Sequence, residues 1–221
     1  MAICNHSPHS PYIGWYFPRN WMELFHKYTL FDTITNEERQ GWENAYTTTL
    51  KKASYAAKGH RLILKNPCNT ARIPQLLKLY PYAKFIHIHR NPYEVYKSTI
   101  KLHHAVIRQI GLHTLTDAEI KNNVVQTYPL LMQRFIDTRD QIPPENFIEI
   151  PYEELDDAPL PTMEKIYSHL NLPDWTPAHD AMNTYLHQQG TFTKNQFAMD
   201  PEDIATVQKH WSIGIDTWGY S

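Results

Sequence analysis

Three short segments of this 221-residue chain place side chains capable of chemistry after runs that read as strands. Lys65-Asn66 follows Leu62-Ile63-Leu64, and Arg90-Asn91 follows Phe85-Ile86-His87-Ile88-His89. Tyr152 comes just after Phe147-Ile148-Glu149-Ile150. In a parallel α/β sheet, ligands bind outside the carboxyl ends of the strands. Lys65 and Arg90 at neighbouring strand ends would put two cations over one crevice. A helix reads as starting soon after each, so its dipole and unpaired N–H groups add positive field. A guanidinium offers a planar fork suited to phosphate, and an ammonium a mobile point charge. Ser98, about two turns into the helix after Arg90, adds a hydroxyl. The pattern predicts an anionic ligand, a phosphate or sulfate ester. The competing reading is that Arg90 and Lys65 cap their own elements or pair with Asp and Glu.

The elements that must hold these groups can be read from periodicity. Residues 18–29 carry Trp21, Leu24, Phe25 and Tyr28 on one helical face, with Pro18 in the first turn. Residues 36–58 read as a longer helix. Thr35 and Glu38 form a capping-box pair at its start, and Gly59 ends it. Leu62-Ile63-Leu64 reads as a buried strand, and residues 70–80 as a helix. Residues 85–89 read as a second strand and 92–110 as a helix. This βαβα order predicts a parallel sheet. A long helix over 117–138, a third strand at 147–150 and a helix over 162–170 continue the theme. Helices over 177–188 and 201–211 have weaker patterns. The tail from Ser212 holds Trp218 and Tyr220 without a clear period.

Composition removes several function classes. The seven glycines are Gly14, Gly41, Gly59, Gly111, Gly190, Gly214 and Gly219, and no two share a phosphate-loop spacing. A Walker or Rossmann glycine loop is therefore not part of this chain. Lys+Arg number 21 against 23 Asp+Glu, so no basic excess points to nucleic acid. Cys4 and Cys68 are too few for a disulfide framework, which favours a reducing, cytoplasmic setting. No apolar run approaches the roughly 18 residues of a membrane span, and residues 1–20 show no signal-peptide pattern. Thirteen histidines raise the question of a metal. His87 and His89 alternate on one strand face and His103-His104 adjoin on a helix, yet no pair has the spacing and acidic backing of a zinc site. His87 and His89 read instead as polar neighbours of the cleft, one of them a possible base. Glu153 and Glu154 read as the start of a helix. Trp15, Tyr16, Trp21 and Phe25 read as core packing ahead of an acceptor pocket.

The run from Leu62 through Lys65-Asn66-Pro67-Cys68-Asn69-Thr70-Ala71-Arg72-Ile73, with Leu76-Leu77 and Tyr80 to Val95 and then Ser98, resembles the central block of the sulfotransferase superfamily. The branch it resembles most has a leucine-lysine-(serine or asparagine)-proline block. Ile150-Pro151-Tyr152-Glu153-Glu154-Leu155, Ile166-Tyr167 and Leu170-Asn171-Leu172 resemble the family's downstream segment, so the likeness extends over residues 18–172. The Arg-Asn-Pro and following Ser are its most specific part.

The resemblance implies a P-loop-type parallel sheet flanked by helices, in one sulfotransferase-like domain over residues 1–221. It implies transfer of a sulfuryl group from 3′-phosphoadenylyl sulfate (PAPS) to a hydroxyl or amine of a small-molecule or glycan acceptor, without a metal. By motif, Arg90 and Ser98 would hold the donor's 3′-phosphate, Tyr152 would lie near the adenine, and Lys65 would sit by the transferring group. The family's first strand and its glycine-containing 5′-phosphosulfate loop have no counterpart here. The chain is thus expected to be an N-terminally incomplete sulfotransferase or a remnant of one. Pro67 and Asn69 stand where relatives carry a basic histidine, so no base is assigned. Lys194-Asn195 is a weak match to the cytosolic branch's C-terminal Arg-Lys-Gly element. A non-catalytic nucleotide-binding remnant is the first alternative and a P-loop kinase-like phosphotransferase the second.

Overall fold

A computed structural model describes residues 2–5, 7–188 and 198–221. Lys194-Asn195 lies outside the described residues. The helices are α1 (Trp21–Phe25), α2 (Asn36–Ala56) and α3 (Ile73–Leu79), followed by strand β1 (Phe85–His89) and helices α4 (Pro92–Ile110) and α5 (Asp117–Arg139). Strand β2 (Phe147–Pro151) leads into α6 (Tyr152–Asp157), α7 (Pro159–His169), α8 (Trp175–Gln188), α9 (Pro201–His210) and α10 (Ser212–Trp218). The fold class is α/β. Contacts divide the chain into one unit of residues 1–72 and 98–135 and a second of residues 73–97 and 136–221.

The first unit is aromatic. Thr35 accepts from the Glu38 amide at 3.2 Å while Glu38 accepts from the Thr35 amide at 3.0 Å, so the capping box starts α2 as expected. Trp42, Ala45 and Tyr46 on α2 are buried. Arg72 is buried with them, its guanidinium 5.2 Å from the Trp42 ring centre and 5.8 Å from that of Phe31. Its Nε donates to the Tyr28 carbonyl at 3.1 Å, which satisfies part of the buried cation. Trp15 packs with Ile107 and Ile120, and Phe25 with Leu30 and Ala71, so both rings are core rather than pocket.

One expected strand is absent. Leu62-Ile63-Leu64 is a loop, with Ile63 90% and Leu64 47% exposed. An extended segment becomes a strand only when a neighbour takes up its N–H and C=O groups. Among the described residues the sheet consists of β1 and β2, so this segment has no ladder to join. Lys65 therefore follows an exposed loop and not a strand end.

The second unit holds that sheet. β1 and β2 pair in parallel, from Phe85 opposite Phe147 to His89 opposite Pro151. Ile148 and Ile150 are buried against Ile166 of α7 and Leu170, which caps that helix. Ile86 and Ile88 on β1 remain more than two-fifths exposed. The first turns of α4 are anchored within this unit. Tyr96 donates to Asp203 of α9 at 3.4 Å and packs edge-on to Trp211, and Lys97 pairs with Asp203 and Asp200. No helix among the described residues is long and apolar enough to cross a membrane.

His103 of α4 shows what the aromatic core does to a titratable group. Its ring lies 4.7 Å from both Trp15 and Trp21, each near edge-on. Burial first, and the His104 charge second, push its pKa down to about 4. The unfolded chain binds this proton more tightly, so the stabilisation is present above pH 6.5 and is lost as pH falls toward 4, by at most about 3 kcal/mol. Urea midpoints measured across that range are expected to fall for the wild type and to fall less for His103→Phe.

Candidate functional site

The end of β1 and the end of β2 meet in the second unit. Because His89 lies opposite Pro151, the next residues, Arg90 and Tyr152, are neighbours. The Arg90 guanidinium sits 4.5 Å from the Tyr152 ring centre, a cation–π contact that orients its fork. Asn91 caps α4, its side-chain oxygen accepting from the Tyr93 amide at 2.9 Å and its carbonyl from the Val95 amide at 3.1 Å. Arg90, Asn91, Glu94, Tyr152, Glu153, Asp156 and Asp157 line a shallow cavity of about 250 Å³.

The charge in this cavity is not what two convergent cations would give. Arg90 lies 3.7 Å from Glu94, one helical turn on, and Glu153, Asp156 and Asp157 share the lining. The alternative that Arg90 pairs with an acid is thus realised in part. An incoming anion must compete with Glu94 for the guanidinium and approach against the other carboxylates.

The polar face of the two strands is hydrogen-bonded to neighbouring elements. Glu149 accepts from Trp218 Nε1 at 2.6 Å and from Arg139 Nη1 at 3.1 Å, and lies 3.1 Å from His87 Nδ1. Glu153 accepts from the Asn91 amide at 3.0 Å and from the Tyr220 hydroxyl at 2.9 Å. Burial alone would raise both carboxyls. For Glu149 the bonds from His87 and Trp218 outweigh it, and for Glu153 those from the amides of Asn91 and of Glu153 itself and from Tyr220, so both titrate below the ordinary glutamate range. His89 stacks on Trp218 at 5.1 Å, and its Nδ1 is 2.8 Å from Tyr220 Oη. Burial lowers the His89 pKa, with the Glu149 charge opposing. Since the single Tyr220 proton goes to Glu153, the Tyr220 oxygen accepts from His89, which assigns the neutral ring's proton to Nδ1. Among the described residues no group of three or more His, Cys, Asp or Glu is arranged to hold a metal.

Lys65 and Ser98 belong to the first unit. Lys65 is exposed, one residue before Asn66, which accepts from the Tyr12 hydroxyl at 2.7 Å and from the Cys68 amide at 3.1 Å. This turn fixes the backbone beside Lys65 and leaves its ammonium in water. Ser98 lies on α4, half-buried.

A model of the sulfotransferase family matches residues 16–177, a stretch that runs through both units. The chain belongs to the sulfotransferase family. It is 34% identical over 211 residues to the omega-hydroxy-beta-dihydromenaquinone-9 sulfotransferase Stf3 of Mycobacterium bovis, and equally to that of Mycobacterium tuberculosis. These matches cover 96% of this chain and 54% of each relative. The chain therefore spans about half the length of the curated relatives it matches. The crystal structure of sulfotransferase STF9 from Mycobacterium avium aligns with a TM-score of 0.64 and 22% identity, over 74% of this chain and 43% of that one. That likeness concerns the fold, a parallel sheet flanked by helices of the P-loop type.

The sulfotransferase match includes Lys65, Arg90, Ser98 and Tyr152 and stops before Trp218 and Tyr220. Sequence reasoning missed the roles of those two aromatics and of Glu149, and saw Glu153 only as a helix start. The hydrogen-bond partners of Trp218 and Tyr220 lie 67 to 131 residues away, and no local period carries such a signal. The alternation of His87 and His89 was the one available hint, since it marks a polar strand face that something must cover.

Glu149 ties β2 to β1, α5 and α10 through His87, Arg139 and Trp218, so its charge is expected to matter for stability. Its lowered pKa makes the folded state the weaker proton binder. The stabilisation is present above the ordinary carboxylate range and is lost as pH falls below it. Glu149→Gln is expected to lower stability at pH 7 by about 2 kcal/mol and to flatten the acid limb. Urea unfolding followed by tryptophan fluorescence checks both.

Proposed function

We propose that this chain carries the 3′-phosphate part of the donor site of a sulfotransferase, which moves a sulfuryl group from PAPS to a hydroxyl acceptor. We read its two units as parts of one sulfotransferase-like domain. In this reading Arg90 and Ser98 hold the donor's 3′-phosphate, Tyr152 sits near the adenine and Lys65 serves the transferring group. The observation that carries it is the Arg90 guanidinium, stacked on Tyr152 at the carboxyl end of β1 and just ahead of the α4 N-terminus. The fork, the aromatic plate and the helix dipole together suit a phosphate ester beside a flat base. A hydroxyl is favoured over an amine because the Stf3 relatives are named for a hydroxylated dihydromenaquinone.

In the transfer, the bond from sulfur to the donor's bridging oxygen breaks as the acceptor oxygen bonds to sulfur. The acceptor's proton leaves to a base, and adenosine 3′,5′-bisphosphate departs. Charge accumulates on the bridging and equatorial oxygens, which a mobile ammonium such as Lys65 stabilises. Pro67 and Asn69 supply no base.

The carboxylates around Arg90 favour weak donor binding by this chain. Calorimetry with adenosine 3′,5′-bisphosphate is expected to give measurable but weak binding, abolished in Arg90→Ala. Glu94→Gln removes the competing carboxylate and is expected to tighten binding roughly threefold. Equal binding by wild type and Arg90→Ala would refute the assignment.

A further inference from the structure

The C-terminal turn reaches the Arg90 site through an unbroken chain of hydrogen bonds. Helix α10 ends at Gly219, whose φ of 67° is the left-handed conformation that reverses a chain after a helix. The reversal is closed by the Tyr220 amide donating to the Ile215 carbonyl at 3.1 Å. It lays Trp218 and Tyr220 on the polar face of the strands. Trp218 is fixed by its 2.6 Å bond to Glu149 and by its stack on His89. Tyr220 then stands between His89 at 2.8 Å and Glu153 at 2.9 Å.

Besides its own amide, the Glu153 carboxylate meets two partners from elsewhere in the chain. Oε2 accepts from Tyr220, and Oε1 accepts from the Asn91 amide, the peptide unit that joins Arg90 to the α4 cap. A glutamate on a short helix has several rotamers, and its entropy opposes holding one of them. The Tyr220 bond selects the rotamer that meets Asn91. Asn91 in turn sets where the Arg90 side chain leaves the backbone, and the Tyr152 ring receives it.

We propose that Tyr220 is a positioning residue for the Arg90 anion site: by holding the Glu153 carboxylate on the Asn91 amide, its hydroxyl aims the Arg90 guanidinium at the 3′-phosphate of a bound nucleotide. This rests on the donor-binding reading above. In this role Tyr220 acts through Glu153 and Asn91.

The test is an NMR titration of the ¹⁵N-labelled chain with adenosine 3′,5′-bisphosphate, comparing wild type, Tyr220→Phe, Glu153→Ala and Arg90→Ala. Tyr220→Phe keeps the ring and deletes one hydroxyl. It is expected to bind about fivefold more weakly, with a thermal midpoint lower by no more than about 4 °C. Its Asn91 amide resonance is expected to move before any ligand is added, which a merely structural contact elsewhere in the tail would not cause. Glu153→Ala cuts the same link from the other side but also removes a carboxylate from the cavity, so its readout is the Asn91 amide, which is expected to move as it does in Tyr220→Phe. Wild-type or tighter binding by Tyr220→Phe, or an unmoved Asn91 amide in either variant, overturns the proposal. If Arg90→Ala itself binds like wild type, the donor-binding reading fails. If Arg90→Ala loses binding while Tyr220→Phe does not, only the positioning role fails.

Discussion

The parallel register of β1 on β2 is the constraint on which the candidate site depends. A ladder that ends with His89 opposite Pro151 puts the next residue of each strand, Arg90 and Tyr152, side by side. Side chains alternate along a strand, so a slip of one residue would turn each to the opposite face. Ile148 and Ile150 forbid that slip, because it would trade their burial against α7 for the burial of Glu149. The hydrophobic face thereby sets the geometry of the polar one.

That polar face carries an electrostatic cost. Taking Glu149 and Glu153 partly out of water is unfavourable unless each keeps its hydrogen-bond donors. Strand, helix and tail all contribute donors, and the lowered carboxyl pKa values record that the donors prevail. Near Arg90 the balance is different. One guanidinium shares its cavity with Glu94, Glu153, Asp156 and Asp157, so the carboxylates outnumber the cation there.

The legible parts of the sequence were those with local causes. The α2 capping box follows from Thr35 and Glu38 alone, and β1 and α4 follow from β-branched alternation and from Pro92 in a first turn. Arg90 and Tyr152 were legible because a strand end is a local feature. Leu62-Ile63-Leu64 misled because strand formation needs a partner, and apolar composition does not reveal whether one exists. The Glu149 and Glu153 networks were illegible for the same reason at longer range. They join residues that only the tertiary fold brings together, with Tyr220 meeting a histidine 131 positions earlier.

We propose that Arg90 holds the 3′-phosphate of a bound nucleotide, with Tyr152 beside the adenine. A crystal structure of the chain with adenosine 3′,5′-bisphosphate tests it most directly. The account predicts the 3′-phosphate within hydrogen-bond distance of the Arg90 guanidinium, with Glu94 displaced from it and the adenine on the Tyr152 side. A nucleotide bound elsewhere, or Arg90 still paired with Glu94 beneath a bound nucleotide, would contradict it.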